Sequence, residues 1–486
     1  MGDTWIDVII GMTNTYASVN GLAYRVSTGK RIEYDEPQNQ EYFMARSLCL
    51  ILTLLLAFVP SAHAQPDRKP LVAAVNKQID GEIESLLALY KHIHANAELA
   101  FQEEQTAARL SKELRKVGFQ VTEKVGITGV VGVFKNGPGP TVMVRADMDA
   151  LPIVEETGVP YASKIRTRDK DGHDVGVMHA CGHDMNVSSL VGTARVMVAL
   201  KDRWHGTLVF IGQPAEEIGA GARVMIEDGL LKRFPRPDFA LALHCDGRYP
   251  AGHANYREGQ MQANVDSVDI IVKGKGGHGA APHTTIDPIV IAARIVLDLQ
   301  TIVSRERNPL EPAVVTVGSI HGGTKHNIIP NEVKMQITVR TTNDISRKNV
   351  LESIARIARA AAMAGNAPEP TVKTRGESFT PALVNEKELT QKFVGLFKNV
   401  LGSDRVHERP MSMGGEDFSQ FTRAGIRTFY WHLGTADPGA YAEAKKGGKA
   451  LANTHSPFYA PVPEPTLRTG VLTMSMALFD LVGDKK

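Results

Sequence analysis

Cysteine is scarce in this 486-residue chain, which contains only Cys49, Cys181 and Cys245. Three cysteines are too few for a disulfide scaffold, so the fold must rest on a hydrophobic core. The chain also lacks an excess of one charge: 55 Lys and Arg stand against 53 Asp and Glu, a formal net charge of +2. This balance, with both signs interspersed, argues against a nucleic-acid-binding protein, which needs a basic surface.

The apolar run at residues 48–59 is short. Its twelve residues are too few to span a bilayer, which takes about 20. The run stands between a basic start at Met44 and a small-residue ending at Ala64, the arrangement of a secretory signal peptide. We therefore predict a signal peptide at residues 44–64, cleavage near Ala64 and a periplasmic or secreted protein that keeps no membrane anchor.

Residues 1–43 precede this predicted signal peptide, and their apolar residues show no clear helical or strand periodicity. We predict that they are a non-native or disordered extension and that translation starts at Met44. The alternative is a genuine extension in front of an internal anchor.

The remaining chain shows two patterns of apolar residues. Strands alternate with helices over residues 71–262 and 377–486, which predicts an α/β catalytic domain with a mainly parallel sheet. Residues 263–376 follow a β-α-β-β-α-β order, which predicts an inserted ferredoxin-like α+β domain. The length of the chain suggests two or three domains, and its 43% hydrophobic content is normal for a soluble globular protein.

The strongest chemical signal is the segment His-Ala-Cys-Gly-His-Asp at residues 179–184. Thiolate and imidazole are ligands that suit Zn²⁺ and similar metals. We expect Cys181 and His183 to face one point from an extended segment, with Gly182 permitting a close approach. In an oxidising compartment Cys181 could instead pair with Cys245, but the absence of a Cys-x-x-Cys motif makes a redox protein the weakest interpretation.

Carboxylates and further histidines lie at other strand ends. Asp149 follows an apolar strand, and the adjacent Glu216 and Glu217 follow another. One carboxylate of such a pair can ligate a cation while its neighbour takes a proton from water. His244 ends a predicted strand and His455 lies in a late loop. Each alone fits a structural role; together they predict a metal centre along one edge of the sheet.

These residues belong to a longer series of sequence motifs. In chain order the motifs are RADMDALPI, HACGHD, QPAEE, GKGGHGAAPH, HNIIP, ITVRT, MGGEDF and THSPF. Over roughly residues 75–480 the chain resembles the hippurate hydrolase and auxin-conjugate amidohydrolase branch of the aminoacylase–carboxypeptidase dinuclear metallopeptidase family. The resemblance implies two divalent metal ions, with Zn²⁺ as the first expectation and Mn, Co or Ni as alternatives. The implied metal ligands are Cys181, His183, Glu217, His244 and His455.

The resemblance also implies roles for other residues. Glu216 matches the general base, and Asp149 matches a carboxylate that orients a ligand. The implied residues around the substrate are the catalytic His278 and the substrate-binding residues Asn327, Arg340, Gly414 and Gly415. Of these, His278 matches a histidine that reaches the reacting carbonyl, often in the site of the partner subunit. Asn327 and Arg340 match residues that bind the carboxylate end of the substrate, and the two glycines match a turn lining the pocket.

The resemblance further implies that the inserted domain acts as a lid and as the contact of a homodimer. The expected reaction is hydrolysis of the amide bond of an N-acyl-amino acid, hippurate being the type case, with release of a carboxylate and a free amino acid. The alternatives are a dipeptidase or carboxypeptidase acting on short peptides, and a non-catalytic metal- or ligand-binding protein.

Three departures from the family pattern leave substrate choice open. Asn186 stands where the family usually has a histidine, and residues 245–249 are not the usual proline-rich loop. A charged insert occupies residues 164–175. His179 and Asp184 receive no assigned role.

Overall fold

The computed structural model describes residues 68–483, together with the backbone of a small hairpin formed by Ser18–Val19 and Leu22–Ala23. The predicted signal peptide at residues 44–64 lies outside the described residues, as does the predicted extension at 1–43 apart from that hairpin. Among the helices of the described residues, none is long and apolar enough to cross a membrane.

Residues 68–483 contain two large sheets. In chain order, their strands are β1 (Gln120–Val125), β2 (Gly129–Asn136), β3 (Thr141–Asp147), β4 (Gly206–Gln213), β5 (Phe239–Pro250), β6 (Ala254–Tyr256), β7 (Asn264–Lys273), β8 (Ala313–His321), β9 (Glu332–Thr341), β10 (Thr371–Thr374), β11 (Val406–Glu408) and β12 (Arg427–Ala436). The α-helices of the same residues are α1 (Lys69–Ala95), α2 (Glu104–Lys116), α3 (His183–Ala199), α4 (Gly221–Glu227), α5 (Leu230–Arg233), α6 (Pro288–Thr301), α7 (Asp344–Ala364), α8 (Lys387–Leu401), α9 (Ser419–Arg423), α10 (Pro438–Lys445) and α11 (Pro463–Val482).

The larger sheet has the strand order β11-β6-β12-β5-β3-β4-β2-β1. Its central strands β12, β5, β3 and β4 run parallel, and β2 and β1 add antiparallel strands at one edge. Strand β4 is buried on both faces, since Phe210 enters one hydrophobic core and Val209 enters the other. Such strands read as continuous apolar runs, which is typical of a parallel sheet. The predicted α/β class is confirmed.

The smaller sheet has the order β8-β9-β7-β10, and all of its neighbouring strands are antiparallel. Helices α6 and α7 pack on it around a separate core that includes Ile270, Ile337 and Ile354. The connection β7-α6-β8-β9-α7-β10 and this strand order are those of the ferredoxin-like module predicted for the insert. The limits of the domains at residues 262/263 and 376/377 stay a prediction.

Candidate metal centre

The carboxyl edge of the parallel strands carries the polar residues of the site. Asp147 ends β3 and pairs in register with Gln213, which ends β4. On the other side of β3, the register of Arg145 with Ala242 puts His244 of β5 at the same level as Asp147. Ligand sites of α/β sheets form at this edge, and the sequence pattern predicted it.

Five side chains converge beyond that edge. The Sγ atom of Cys181 lies 3.4 Å from His244 Nε2 and 3.3 Å from His455 Nε2. Glu217 Oε2 is 3.5 Å from His455 Nε2, and Glu217 Oε1 is 3.9 Å from His183 Nε2. Two groups of possible ligands share the cysteine: one adds His183 and His244, the other Glu217 and His455, with ligand atoms within 4.8 Å of one another in each group.

The hydrogen bonds around these side chains fit metal ligation. His183 Nδ1 donates to the carbonyl of Asp149 at 2.7 Å, and His244 Nδ1 donates to the carbonyl of Cys245 at 2.8 Å. When each ring is neutral, its Nε2 is the unprotonated nitrogen and faces the cluster, the arrangement usual for metal-bound histidine. His183 Nε2 and Glu217 Oε1 are buried without a hydrogen-bond partner. Since buried polar atoms are normally satisfied, the donor set fits divalent cations, which these residues would hold.

A turn at Gly182 brings two of the ligands together. Helix α3 begins at His183, and Gly182 precedes it with φ +83°. The apolar pattern of the sequence by itself predicts a helix only at 187–200, which starts four residues later. The expectation that Cys181 and His183 lie on an extended segment is therefore wrong: one lies before the turn and the other in the first turn of the helix. A Cβ atom on Gly182 would lie 2.8 Å from Cys245 Sγ, so the glycine lets the segment approach β5.

Asp149 holds the adjacent carboxylates in place. Its two oxygens accept the backbone N–H groups of Glu216 at 3.1 Å and Glu217 at 3.0 Å. The preceding Ala215 has φ +52°, an uncommon conformation for alanine that the surroundings must maintain. Burial raises the pKa of Glu217 to about 7. Burial, followed by the nearby Glu416 and Glu217 carboxylates, raises the pKa of Glu216 well above its ordinary value.

Asn186, the departure from the family pattern, has a structural partner. Its Nδ2 donates to Asp147 Oδ1 at 2.7 Å, while Asp147 Oδ2 lies 3.6 Å from His183 Nε2. The amide thus orients a carboxylate next to a candidate ligand and leaves the five converging side chains intact.

A buried ion cluster supports the base of the site and was not predicted. The Arg145 guanidinium donates to Asp147 at 2.5 Å, Glu416 at 2.8 Å and Asp417 at 3.1 Å. Tyr430 Oη donates to Glu416 at 2.7 Å. The resemblance singled out this segment only for Gly414 and Gly415, and no pattern in the sequence connects it with Arg145.

A second buried charge pair lies behind helix α3. His94 Nδ1 is 2.7 Å from Asp184 Oδ2, and His94 Nε2 is 3.1 Å from Glu155 Oε1. Burial opposes the charged imidazole, but the two carboxylates outweigh it and raise the pKa of His94 to about 10. Asp184 therefore anchors the start of α3 to α1. His179 is buried, and neither of its ring nitrogens has a hydrogen-bond partner.

The converging side chains open onto a cavity of about 680 Å³. Its lining includes the predicted residues Cys181, Glu216, Glu217, His244, His455, Arg340, Gly414 and Gly415. The structure therefore brings the candidate ligands and base together with most of the predicted substrate residues.

His278 and Asn327 are the exceptions. They are not among the lining residues of that cavity within this chain. They neighbour each other in the inserted domain, where Gly277–His278 pairs with Ile328–Ile329 and the backbone of Asn327 accepts a hydrogen bond from Gly279. Their roles stay predictions.

Comparison with known proteins decides the family, because the match to Peptidase family M20/M25/M40 covers residues 143–456. The chain belongs to this peptidase family. Thermostable carboxypeptidase 2 from Saccharolobus solfataricus is 37% identical over 400 residues, which cover 81% of this chain and 95% of that protein. IAA-amino acid hydrolase ILR1-like 2 from Arabidopsis thaliana is 34% identical over 432 residues, which cover 86% and 91%.

The fold has solved relatives as well. A crystal structure from Bacillus subtilis, described as a dinuclear metal binding peptidase from the M20 family, superposes with a TM-score of 0.65 and 30% identity. The superposition covers 82% of this chain and 98% of that one. The predicted family and hydrolase class are confirmed: the protein is a metal-dependent amidohydrolase whose relatives support two divalent cations.

Proposed function

We propose that this amidohydrolase cleaves N-acyl-amino acids of the hippurate type, releasing a carboxylate and a free amino acid. Arg340 carries the proposal. It lies half-buried in the cavity, its Nε donates to Thr338 Oγ1 at 3.2 Å, and its Nη1 reaches Gly415, where an added Cβ would stand 3.6 Å away. A guanidinium placed in this way can bind the α-carboxylate of an amino acid through two parallel hydrogen bonds.

The carboxylates that line the cavity favour a substrate with an acylated amino group over one with a free α-ammonium group. Those lining it in the described chain are Glu216, Glu217, Asp246 and Glu416. Asp246 accepts hydrogen bonds from Arg248, and Glu416 from Arg145. The other two belong to the metal centre. A substrate with a free α-ammonium group, as a dipeptidase requires, would therefore lack a dedicated partner.

The chain's own residues would divide the reaction among them. Cys181, His183, Glu217, His244 and His455 would hold two divalent cations, for which we propose Zn²⁺ with Mn, Co or Ni as alternatives. Bound there, the cations would supply Lewis-acid activation of water and of the amide carbonyl.

Glu216 would take a proton from the attacking water and deliver it to the leaving nitrogen. Arg340 would fix the carboxylate end of the substrate, so that the amide bond is presented to the base in one orientation.

Two finer points of the proposal concern assembly and location. We propose a homodimer through the inserted domain, in which His278 and Asn327 of one subunit complete the site of the other. The exposed position of His278 and the exposed apolar side chains of Ile289, Val290 and Leu297 on α6 support a contact there. Mixing Glu216→Gln with His278→Ala protein would restore activity only if sites are shared between subunits.

We also propose export after cleavage near Ala64. Mass spectrometry of the exported chain would give a mature protein beginning at Gln65. A mature chain that begins earlier would contradict the proposed cleavage.

Substrate choice tests the main proposal. The full chain, reconstituted with Zn²⁺ or Mn²⁺, is assayed on N-benzoylglycine and on glycylglycine, with chelator-treated protein as the control. We expect benzoylglycine to be hydrolysed with the higher kcat/KM and the activity to vanish with the metal. A preference for glycylglycine would establish the dipeptidase alternative and contradict the proposal.

A further inference from the structure

The cavity contains two arginines that hydrolysis of a hippurate-like substrate does not require. Arg248 and Arg409 line it together with Arg340. Arg340 belongs to β9 of the inserted sheet, whereas Arg248 lies on β5 and Arg409 directly follows β11 of the larger sheet. Both domains that form the cavity therefore contribute guanidinium groups to it. Of the three arginines, only Arg340 is assigned to the α-carboxylate of the substrate.

Arg248 and Arg409 both contact one buried carboxylate, that of Asp246. Arg248 donates through Nε and Nη2 to the two oxygens of Asp246, each at 2.8 Å. Arg409 Nη1 lies 3.5 Å from the same carboxylate. The side chains of Asp246 and Arg409 are 2% and 4% exposed, whereas that of Arg248 is 52% exposed. Two guanidiniums on one carboxylate leave one positive charge in excess, and a partly buried charge of this kind favours an anionic partner.

The excess charge lies close to the metal centre. Arg409 Nη1 contacts the His432 ring, with 2.6 Å to Nδ1 and 2.7 Å to Nε2. His432 is in register with His244 across the parallel strands β12 and β5, and the centroids of their rings are 5.8 Å apart. Only the His432 side chain thus stands between Arg409 and a candidate ligand, and both Arg409 and His244 line the same cavity.

We propose that the acyl group of the substrate carries its own carboxylate, so that the preferred substrates are amino acids N-acylated by a short dicarboxylic acid, such as N-succinyl-amino acids. This inference rests on the proposed function, in which Arg340 binds the α-carboxylate of the substrate. Arg248 and Arg409, which line the same cavity, are then available to the acyl group of the substrate. Arg248 is half-exposed, and its Nη1, which makes neither of the two hydrogen bonds to Asp246, can bind the carboxylate of the substrate with charge-assisted hydrogen bonds. Asp246 and Arg248 both belong to residues 245–249, the segment that departs from the family pattern.

The test compares two substrates that differ in one group. The metal-loaded full chain is assayed on N-succinyl-L-alanine and on N-succinamoyl-L-alanine, in which a neutral amide replaces the terminal carboxylate. We expect kcat/KM to favour the succinyl compound by roughly tenfold or more, the usual effect of a charge-assisted hydrogen bond. In Arg248→Ala the ratio of the two kcat/KM values should fall toward one.

Arg233→Ala is the matched control. Arg233 forms a similar 2.8 Å ion pair with Asp228 and is 47% exposed, but it does not line the cavity. Its replacement should leave the ratio unchanged. Equal kcat/KM values for the two compounds, or a preference that Arg248→Ala does not alter, would overturn the inference.

Two further outcomes separate this inference from the proposed function. If neutral N-acyl-alanines are hydrolysed without preference for the succinyl compound, only the acyl assignment fails. If no N-acyl-alanine is hydrolysed, the proposed function fails with it. A preference for N-acetylglutamate over N-acetylglutamine, without one for succinyl groups, would transfer the anion site to the amino-acid side chain and overturn the acyl assignment.

Discussion

Replacing Asp149 by asparagine is expected to weaken metal binding without removing any proposed ligand. The carboxylate accepts the N–H groups of Glu216 and Glu217 at 3.1 and 3.0 Å, and an amide offers one oxygen where two acceptors are needed. The NH₂ group would face a backbone N–H, so at least one charge-assisted hydrogen bond is lost. Such a bond contributes about 1.5–3 kcal/mol, and the loss should appear in the free energy of unfolding of the metal-free protein.

Metal affinity gives the sharper readout. Glu217 is a proposed ligand, and a change in a residue that orients a ligand lowers metal affinity by roughly 10- to 100-fold. Competition with a chromophoric chelator would measure it in wild type and Asp149→Asn. Asp238→Asn is the matched control, because Asp238 accepts the N–H of Thr141 at 2.8 Å at the opposite end of the same strand. Metal affinity of Asp149→Asn equal to that of wild type would refute the reasoning.

Two other predictions concern stability. Gly182→Ala should lower the urea midpoint of unfolding more than Gly172→Ala. Both glycines have φ near +83° and share a backbone strain of about 1 kcal/mol, but only at Gly182 would the new Cβ meet other atoms, at 2.8 Å from Cys245. Equal midpoints for the two variants would contradict the clash. His94→Gln should cost roughly 3 kcal/mol at pH 6. Because the pKa of His94 is raised from 6.5 to about 10, its contribution is complete below pH 6.5 and is lost as the pH rises through 10. Urea unfolding of both proteins at pH 6 and at a pH above 10 should therefore show the difference shrinking at the higher pH, and a constant difference would contradict the assigned charge pair.

Much of the architecture was predictable because it follows local patterns. Strand β4 is an apolar run buried on both faces, which identifies a central parallel strand. The segments that carry Asp149, Glu216 and His244 follow or end such strands, and parallel strands place those ends at one edge. The metal centre could therefore be assembled from the sequence before any distance was known.

What remained hidden depends on contacts between distant residues. The partners of Arg145 lie up to 272 positions away, at Asp417, and no periodicity links them. The start of α3 was misplaced because His183 and Asp184 interrupt the apolar pattern, although both are buried at the start of the helix. The Asp246–Arg409 contact likewise joins a strand to a distant loop. No pattern in the sequence therefore indicated that Arg248 and Arg409 line the cavity.

The central claim is that Glu216 transfers the proton in a site whose other residues hold two metal ions. Glu216→Gln, measured for metal content and for hydrolysis of N-benzoylglycine on the same sample, tests it most directly. We predict two bound metals per chain, as in wild type, and a turnover lower by roughly 10²- to 10⁴-fold. Turnover close to that of wild type with both metals bound would contradict the account.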